Sequence, residues 1–120
     1  MKEQLIEFDT AKLAKVKGFD WGVSFWKSPN SVLYKKETNN KKLYLEHYAI
    51  PTQSILQKWL REVHIIEVYV VPYSVSGGHA MRGGKGFYEV VVDKSVTTWS
   101  GHKTYEEALE EGLQEALKLI

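Results

Sequence analysis

The strongest constraint on the fold of this chain is an amphipathic helix signal near its end. Thr104 and Glu107 have the spacing of a capping box. In this motif the threonine side chain accepts a hydrogen bond from the backbone N–H of the glutamate, and the glutamate side chain accepts one from the backbone N–H of the threonine. The residues that then recur on one helical face are Tyr105, Ala108, Leu109, Leu113, Ala116 and Leu117. Such a stripe must cover an apolar surface, and Gly112 beside it predicts a close approach by another element.

Two further segments have helical signals. Residues 51–64 open with Pro51 and Thr52 and form a second amphipathic pattern. Its apolar stripe consists of Ile55, Leu56, Trp59, Leu60 and Val63. A shorter helix is predicted over residues 9–17, with Asp9 as its N-cap and Gly18 as its left-handed stop.

Strand signals alternate with these helices. Residues 31–36 and 42–47 flank a polar turn and predict a hairpin. Residues 65–71 and 87–93 are rich in β-branched side chains and predict two further strands. A short strand is also predicted at residues 96–99. Residues 19–30 fit neither periodicity and predict irregular chain or a short strand. The order is α-ββα-ββα. We therefore predict one α+β domain over residues 1–120, with a mainly antiparallel sheet of about four strands carrying both long helices on one face.

Composition restricts the classes of function. The 120 residues have the size of one domain and contain no cysteine, which excludes disulfides and thiolate metal sites and is typical of a reducing compartment. The formal net charge of +1 does not favour nucleic acid or anionic lipid as a general partner. The first residues lack the apolar run of a secretory signal or membrane anchor, so a cytoplasmic protein is expected.

No catalytic or cofactor motif can be recognised. The glycine-rich loop at residues 74–86 misses the spacing of a phosphate loop, because no hydroxyl residue follows Lys85 and a strand comes next. The histidines are scattered, and the glutamates of the last helix are interpreted as its solvated face. No cofactor or metal is expected. An enzyme with a site assembled from dispersed histidines and glutamates stays as a third hypothesis.

One candidate binding surface is the basic hairpin with interleaved aromatic residues. Its members are Tyr34, Lys35, Lys36, Lys41, Lys42 and Tyr44. Lysines beside aromatic side chains bind single-stranded nucleic acid through phosphate contacts and base stacking. Exposed lysines also provide solubility and protect a sheet edge, so this alternative stays open.

A second candidate surface is the non-helical aromatic cluster of Trp21, Phe25 and Trp26. Large aromatic side chains in irregular chain form ligand pockets and protein-binding patches. The alternative is that these rings cap the sheet, which is a structural role.

Two stretches of the sequence resemble a known family. They are Pro-Thr-Gln-Ser-Ile-Leu-Gln-Lys-Trp-Leu-Arg-Glu from Pro51 and Thr-Tyr-Glu-Glu-Ala-Leu-Glu-Glu-Gly-Leu-Gln-Glu-Ala-Leu from Thr104. Both are similar to segments of short uncharacterised proteins of gut bacteria and their phages or prophages. The family has no assigned activity, so the resemblance implies a context, that of an accessory protein of a phage or mobile element.

From these observations we expect a non-enzymatic protein that binds a macromolecule, with another protein as the preferred partner. A single-stranded or structured nucleic acid bound at the basic hairpin is the alternative. Association into a homo-oligomer stays an open alternative. A membrane is not expected as a partner.

Overall fold

The computed structural model describes residues 4–73, 87–93, 95–96 and 104–120. Within these residues the chain is α+β, with helices and short strands alternating along the sequence. The elements are α1 (Phe8–Val16), β1 (Val23–Lys27), β2 (Leu33–Thr38), β3 (Tyr48–Ala49), α2 (Gln53–His64), β4 (Val68–Tyr73), β5 (Phe87–Val92), β6 (Ser95–Val96) and α3 (Tyr105–Lys118). The loop predicted at 74–86 and residues 97–99 of the last predicted strand lie outside the described residues.

The described strands form two small antiparallel sheets, in the orders β2-β1-β3 and β4-β5-β6. They differ from the predicted single sheet of about four strands. Helix α3 lies against β4 and β5, whereas α2 packs mainly against α3, and α1 contacts both α3 and β3. The C-terminal helix therefore joins the two halves of the fold.

The predicted hairpin between 31–36 and 42–47 is wrong. Strand β2 pairs instead with β1, so the short-strand interpretation of residues 19–30 is the correct one there. Residues 42–47 form turns, and side chains bond the backbone of this segment. Asn39 Oδ1 accepts from Lys42 N at 3.1 Å, and the Lys15 ammonium donates to the Tyr44 and His47 carbonyls. The buried Asn40 amide donates to the Phe19 carbonyl at 2.8 Å, and its oxygen accepts from Ala49 N at 2.9 Å, so it ties the chain before β1 to β3.

Helix ends follow the sequence signals at α2 and α3. Thr52 accepts a hydrogen bond from Ile55 N at 3.2 Å, and Thr104 accepts one from Glu107 N at 3.1 Å. At α1 the predicted cap is wrong, since Glu7 occupies the N-cap position and Asp9 lies inside the first turn. Gly18 adopts the predicted left-handed conformation, with φ of +97°.

The core is built on most residues of the two predicted stripes, whereas Val63 and Tyr105, at one end of each stripe, are exposed. Trp59 and Leu113 are fully buried, and the Trp59 ring packs edge-to-face on Phe19 with centroids 5.3 Å apart. Gly112 lies against the sheet so closely that a methyl group there would overlap Val90 Cγ2. The same methyl group would stand 3.0 Å from Val68 Cγ1. The close approach predicted at Gly112 is therefore confirmed.

Candidate functional site

Four aromatic side chains form a row that runs from β2 and β1 to the turns that precede β3. Strand pairing places Trp26 opposite Tyr34, and their rings stack with centroids 4.4 Å apart and an interplanar angle of 19°. His47 packs edge-on against Trp26 at 5.1 Å, and Tyr44 lies 5.7 Å from His47. We call Tyr34, Trp26, His47 and Tyr44 the aromatic row.

The row begins on the face of β1 opposite to Phe25, where Ala49, the strand partner of Trp26, is buried. Neighbouring side chains of a strand point to opposite faces. In β1, Phe25 contacts the core, and the next residue, Trp26, points to the opposite face. The predicted cluster of three aromatic residues is therefore divided, since Trp21 and Phe25 pack against the core and Trp26 belongs to the row.

The two ends of the row are accessible. Tyr34 is 44% exposed although Trp26 stacks on one of its ring faces. At the opposite end, Tyr44 is 82% exposed and its neighbour Leu45 is 88% exposed. Isolated exposed apolar residues are common on proteins, but here two of them are adjacent and continue a packed row of rings.

A lysine from α1 fixes the loop that carries Tyr44 and Leu45. The Lys15 ammonium donates to the carbonyl oxygens of Tyr44 at 2.6 Å, His47 at 2.7 Å and Leu45 at 3.4 Å. A turn bond from His47 N to the Tyr44 carbonyl at 3.0 Å closes the same loop. Partial burial beside these groups lowers the pKa of Lys15. We call residues 44–47 the clamped loop.

The lysines of the predicted nucleic-acid surface do not form one patch. Lys35 lies opposite Phe25 and so on the other sheet face from Tyr34. Lys41 forms an ion pair with Asp20, with Nζ and Oδ2 3.1 Å apart. Lys36 and Lys42 are exposed. The structure thus brings Tyr34 and Tyr44 into one row but spreads their lysines over different surfaces.

A polar network joins the three helices and was not foreseen from the sequence. Glu110 is only 5% exposed, so its interpretation as part of a solvated face is wrong. Its carboxylate accepts from Glu7 N at 2.9 Å, from Gln53 Nε2 at 2.9 Å and from the Thr10 hydroxyl. A buried carboxylate bonded to the first turn of α1 also interacts favourably with the helix dipole. This network is structural.

Beside Glu110 lies a cavity of about 240 Å³ with an acidic lining. Its walls are formed by Gln4, Glu7, Gln53, Thr104, Glu106, Glu107 and Glu110. Partial burial, followed by repulsion from Glu110 and Asp9, raises the pKa of Glu7. Among the described residues, no group of three or more histidines or carboxylates is arranged to hold a metal ion.

Comparisons with known proteins add no assignment. No protein-family model matches the chain, no curated protein matches it, and no solved structure matches it. In the part of the chain that the structure describes, no helix has the length and apolar character needed to cross a membrane. The aromatic row and the clamped loop are therefore the features from which a function can be inferred.

Proposed function

We propose that this protein is a non-enzymatic module that binds another protein through the aromatic row and Leu45. The observation that carries the proposal is the clamp by Lys15, which holds Tyr44 and Leu45 outward on a loop with a fixed backbone. The proposal includes a cytoplasmic location and the accessory role, in a phage or mobile element, that the family resemblance implies.

The clamp matters because binding is opposed by the loss of loop and side-chain freedom. Ordering a rotamer-rich side chain costs about 0.5–1.5 kcal/mol, and a loop that is already fixed avoids its share of this cost. Full burial of one leucine side chain contributes roughly 1.5–3 kcal/mol. Leu45 and Tyr44, both almost fully exposed, offer this gain with their backbone already positioned.

Single-stranded nucleic acid is the second candidate. Its support is the partly exposed Tyr34, which stacks on Trp26, together with the exposed Lys36 on the same strand. Two observations weaken it in comparison with protein binding. Lys41 already pairs with Asp20, and Lys35 faces away from the ring.

The test compares the proteins captured by the wild type with those captured by the Tyr44→Ser/Leu45→Ser variant. Both side chains are exposed, so the variant should fold normally. Ile65→Asn is the matched control, because Ile65 is an exposed apolar residue outside the row, and asparagine tolerates its left-handed conformation. We expect a discrete set of proteins that the wild type and the control capture and the double variant loses.

Identical sets for the wild type and the double variant would contradict the proposal. A parallel gel-retardation series with single-stranded DNA and RNA, repeated at several salt concentrations, distinguishes nucleic-acid binding from protein binding. Phosphate binding must weaken steeply with salt, and its loss in both Tyr34→Ser and Lys36→Ser would favour nucleic acid as the partner.

A further inference from the structure

We infer that the free edge of β2 binds an extended acidic segment of the partner as an added strand. This inference rests on the proposed function, since it names the kind of partner that the module takes. Within residues 4–73, 87–93, 95–96 and 104–120, β2 pairs with β1 on one side only. Five of its six residues are exposed.

The direction of the backbone groups follows from the register. In an antiparallel pair, hydrogen-bonded and non-hydrogen-bonded positions alternate. Ser28 N donates to the Val32 carbonyl at 3.1 Å, so the pair two positions further along, Trp26 and Tyr34, is also hydrogen-bonded. The N–H and C=O groups of the alternate residues Leu33 and Lys35 therefore point away from β1.

An independent contact supports the same alternation. Ile50 N donates to the Phe25 carbonyl at 2.9 Å, so Phe25 directs its carbonyl towards the chain that follows β3 and away from β2. Phe25 is the residue opposite Lys35. The pair is thus of the non-hydrogen-bonded kind, and the backbone groups of Lys35 remain available at the edge.

Side chains at this edge define the chemistry of the added strand. Tyr34 lies on the face of the aromatic row, whereas Lys35 lies on the opposite face. Cross-strand neighbours stand about 4.5–5.5 Å apart, close enough for aromatic and charged pairs to contact. A matching segment therefore carries an aromatic or apolar residue on the Tyr34 face and a carboxylate on the Lys35 face, in alternation.

The lysines also decide between an acidic partner and a second copy of this chain. β2 carries two lysines and one acid, Glu37, so its net charge is +1. Antiparallel pairing with the β2 of a copy would place Lys35 opposite Lys35, or Lys36 opposite Lys36 with Lys35 facing Glu37. Like charges opposite one another are destabilising, and Glu37 offsets this only in the second register. Lysines at an edge strand protect against self-association in this way. The same charges favour an acidic segment, so repulsion and attraction together provide the specificity.

A short blocked peptide that alternates glutamate with tyrosine and valine tests the inference on the full chain. We expect it to bind and to slow hydrogen exchange of the Leu33 and Lys35 amides. N-methylation of the peptide residues whose amides face β2 should weaken binding by at least about tenfold, and methylation of the alternate residues should not. Absence of binding, or equal binding by the two methylated peptides, would overturn the inference.

Charge reversal tests the acidic character separately. Lys35→Glu should lose the glutamate peptide and gain its lysine-substituted version, whereas Lys58→Glu, a change at an exposed residue of α2, should do neither. If the wild type prefers the lysine peptide or binds both equally, an acidic partner is contradicted.

The two proposals can fail independently. Captured proteins that depend on Tyr44 and Leu45, without any peptide binding at β2, would overturn only the strand addition. Peptide binding at β2, with protein capture unchanged by Tyr44→Ser/Leu45→Ser, would instead overturn the role of the clamped loop.

Discussion

The side-chain nitrogen of Lys15 lies 2.6 Å from the carbonyl oxygen of Tyr44, although 29 residues separate them in the sequence. A single cation of α1 thereby fixes the loop that presents Tyr44 and Leu45. Hydrogen bonds to a charged group contribute about 1.5–3 kcal/mol where they are shielded from water, and less at a partly exposed site such as this one.

Replacing Lys15 by methionine should therefore loosen the clamped loop more than it destabilises the fold. We expect faster hydrogen exchange at the amide of His47, with little change for the amides of α3, because the lost bonds are local. Lys58→Met removes a lysine from the exposed face of α2 and serves as the control. If exchange at residues 44–47 were the same in all three proteins, the loop would not depend on the clamp.

Glu110→Gln should destabilise the fold by about 1–3 kcal/mol, because it leaves a buried donor without an acceptor. Gln114 Nε2 donates to the Thr10 hydroxyl at 2.8 Å, so that hydroxyl directs its own proton to Glu110 and has little freedom to turn. Urea unfolding at neutral pH measures the loss. Glu106→Gln, one turn earlier and exposed, should change stability little, and equal losses in the two variants would argue against the network.

The raised pKa of Glu7 predicts a pH-dependent effect of Glu7→Gln. Burial, Glu110 and Asp9 disfavour the ionised form in the folded state, so ionised Glu7 destabilises the fold above its folded pKa. This penalty disappears as the pH falls through that pKa to the ordinary value of 4.5 and below. The variant should have the higher melting temperature at neutral pH and no advantage at about pH 4. An advantage that persists in acid would refute the assignment.

Gly112→Ala should destabilise the protein even though alanine is the better helix former. The gain in helix propensity is about 1 kcal/mol. The new methyl group, however, overlaps Val90, and overpacking of a core typically costs about 1–3 kcal/mol, which exceeds or cancels this gain. Gly22→Ala is the control, because a Cβ there meets nothing within 4 Å. If the Gly112→Ala protein were as stable as the wild type in denaturant, β4 and β5 would have to shift away from α3 at little cost, and the prediction would be wrong.

The parts of the fold that were predictable from sequence are those decided by neighbouring residues. Thr104 and Thr52 cap their helices through bonds to amides three residues away, and the stripes containing Trp59 and Leu113 follow from helical periodicity. Gly112 could be recognised because a glycine beside an apolar stripe has few other roles.

The misassigned parts depend on residues distant in sequence. Residues 42–47 alternate like a strand, but Asn39 and Lys15 bond the backbone of this segment in turns. Glu110 belongs to a row of glutamates in the sequence, and its buried hydrogen bonds come from Glu7 and Thr10 at the start of α1 and from Gln53 of α2. For the candidate site, sequence alone identified Tyr34, Trp26 and Tyr44, but neither His47 between them nor the lysine clamp.

Photo-crosslinking from position 45 shows directly whether the clamped loop contacts another protein. A photoreactive phenylalanine analogue replaces Leu45 in one protein and Ile65 in another, since both side chains are exposed and apolar and only the first adjoins the aromatic row. We expect discrete protein adducts from position 45 that are absent from position 65 and that disappear when Tyr44 is replaced by serine. Adducts that are equally frequent from both positions, or that contain only nucleic acid, would contradict a protein contact at this loop.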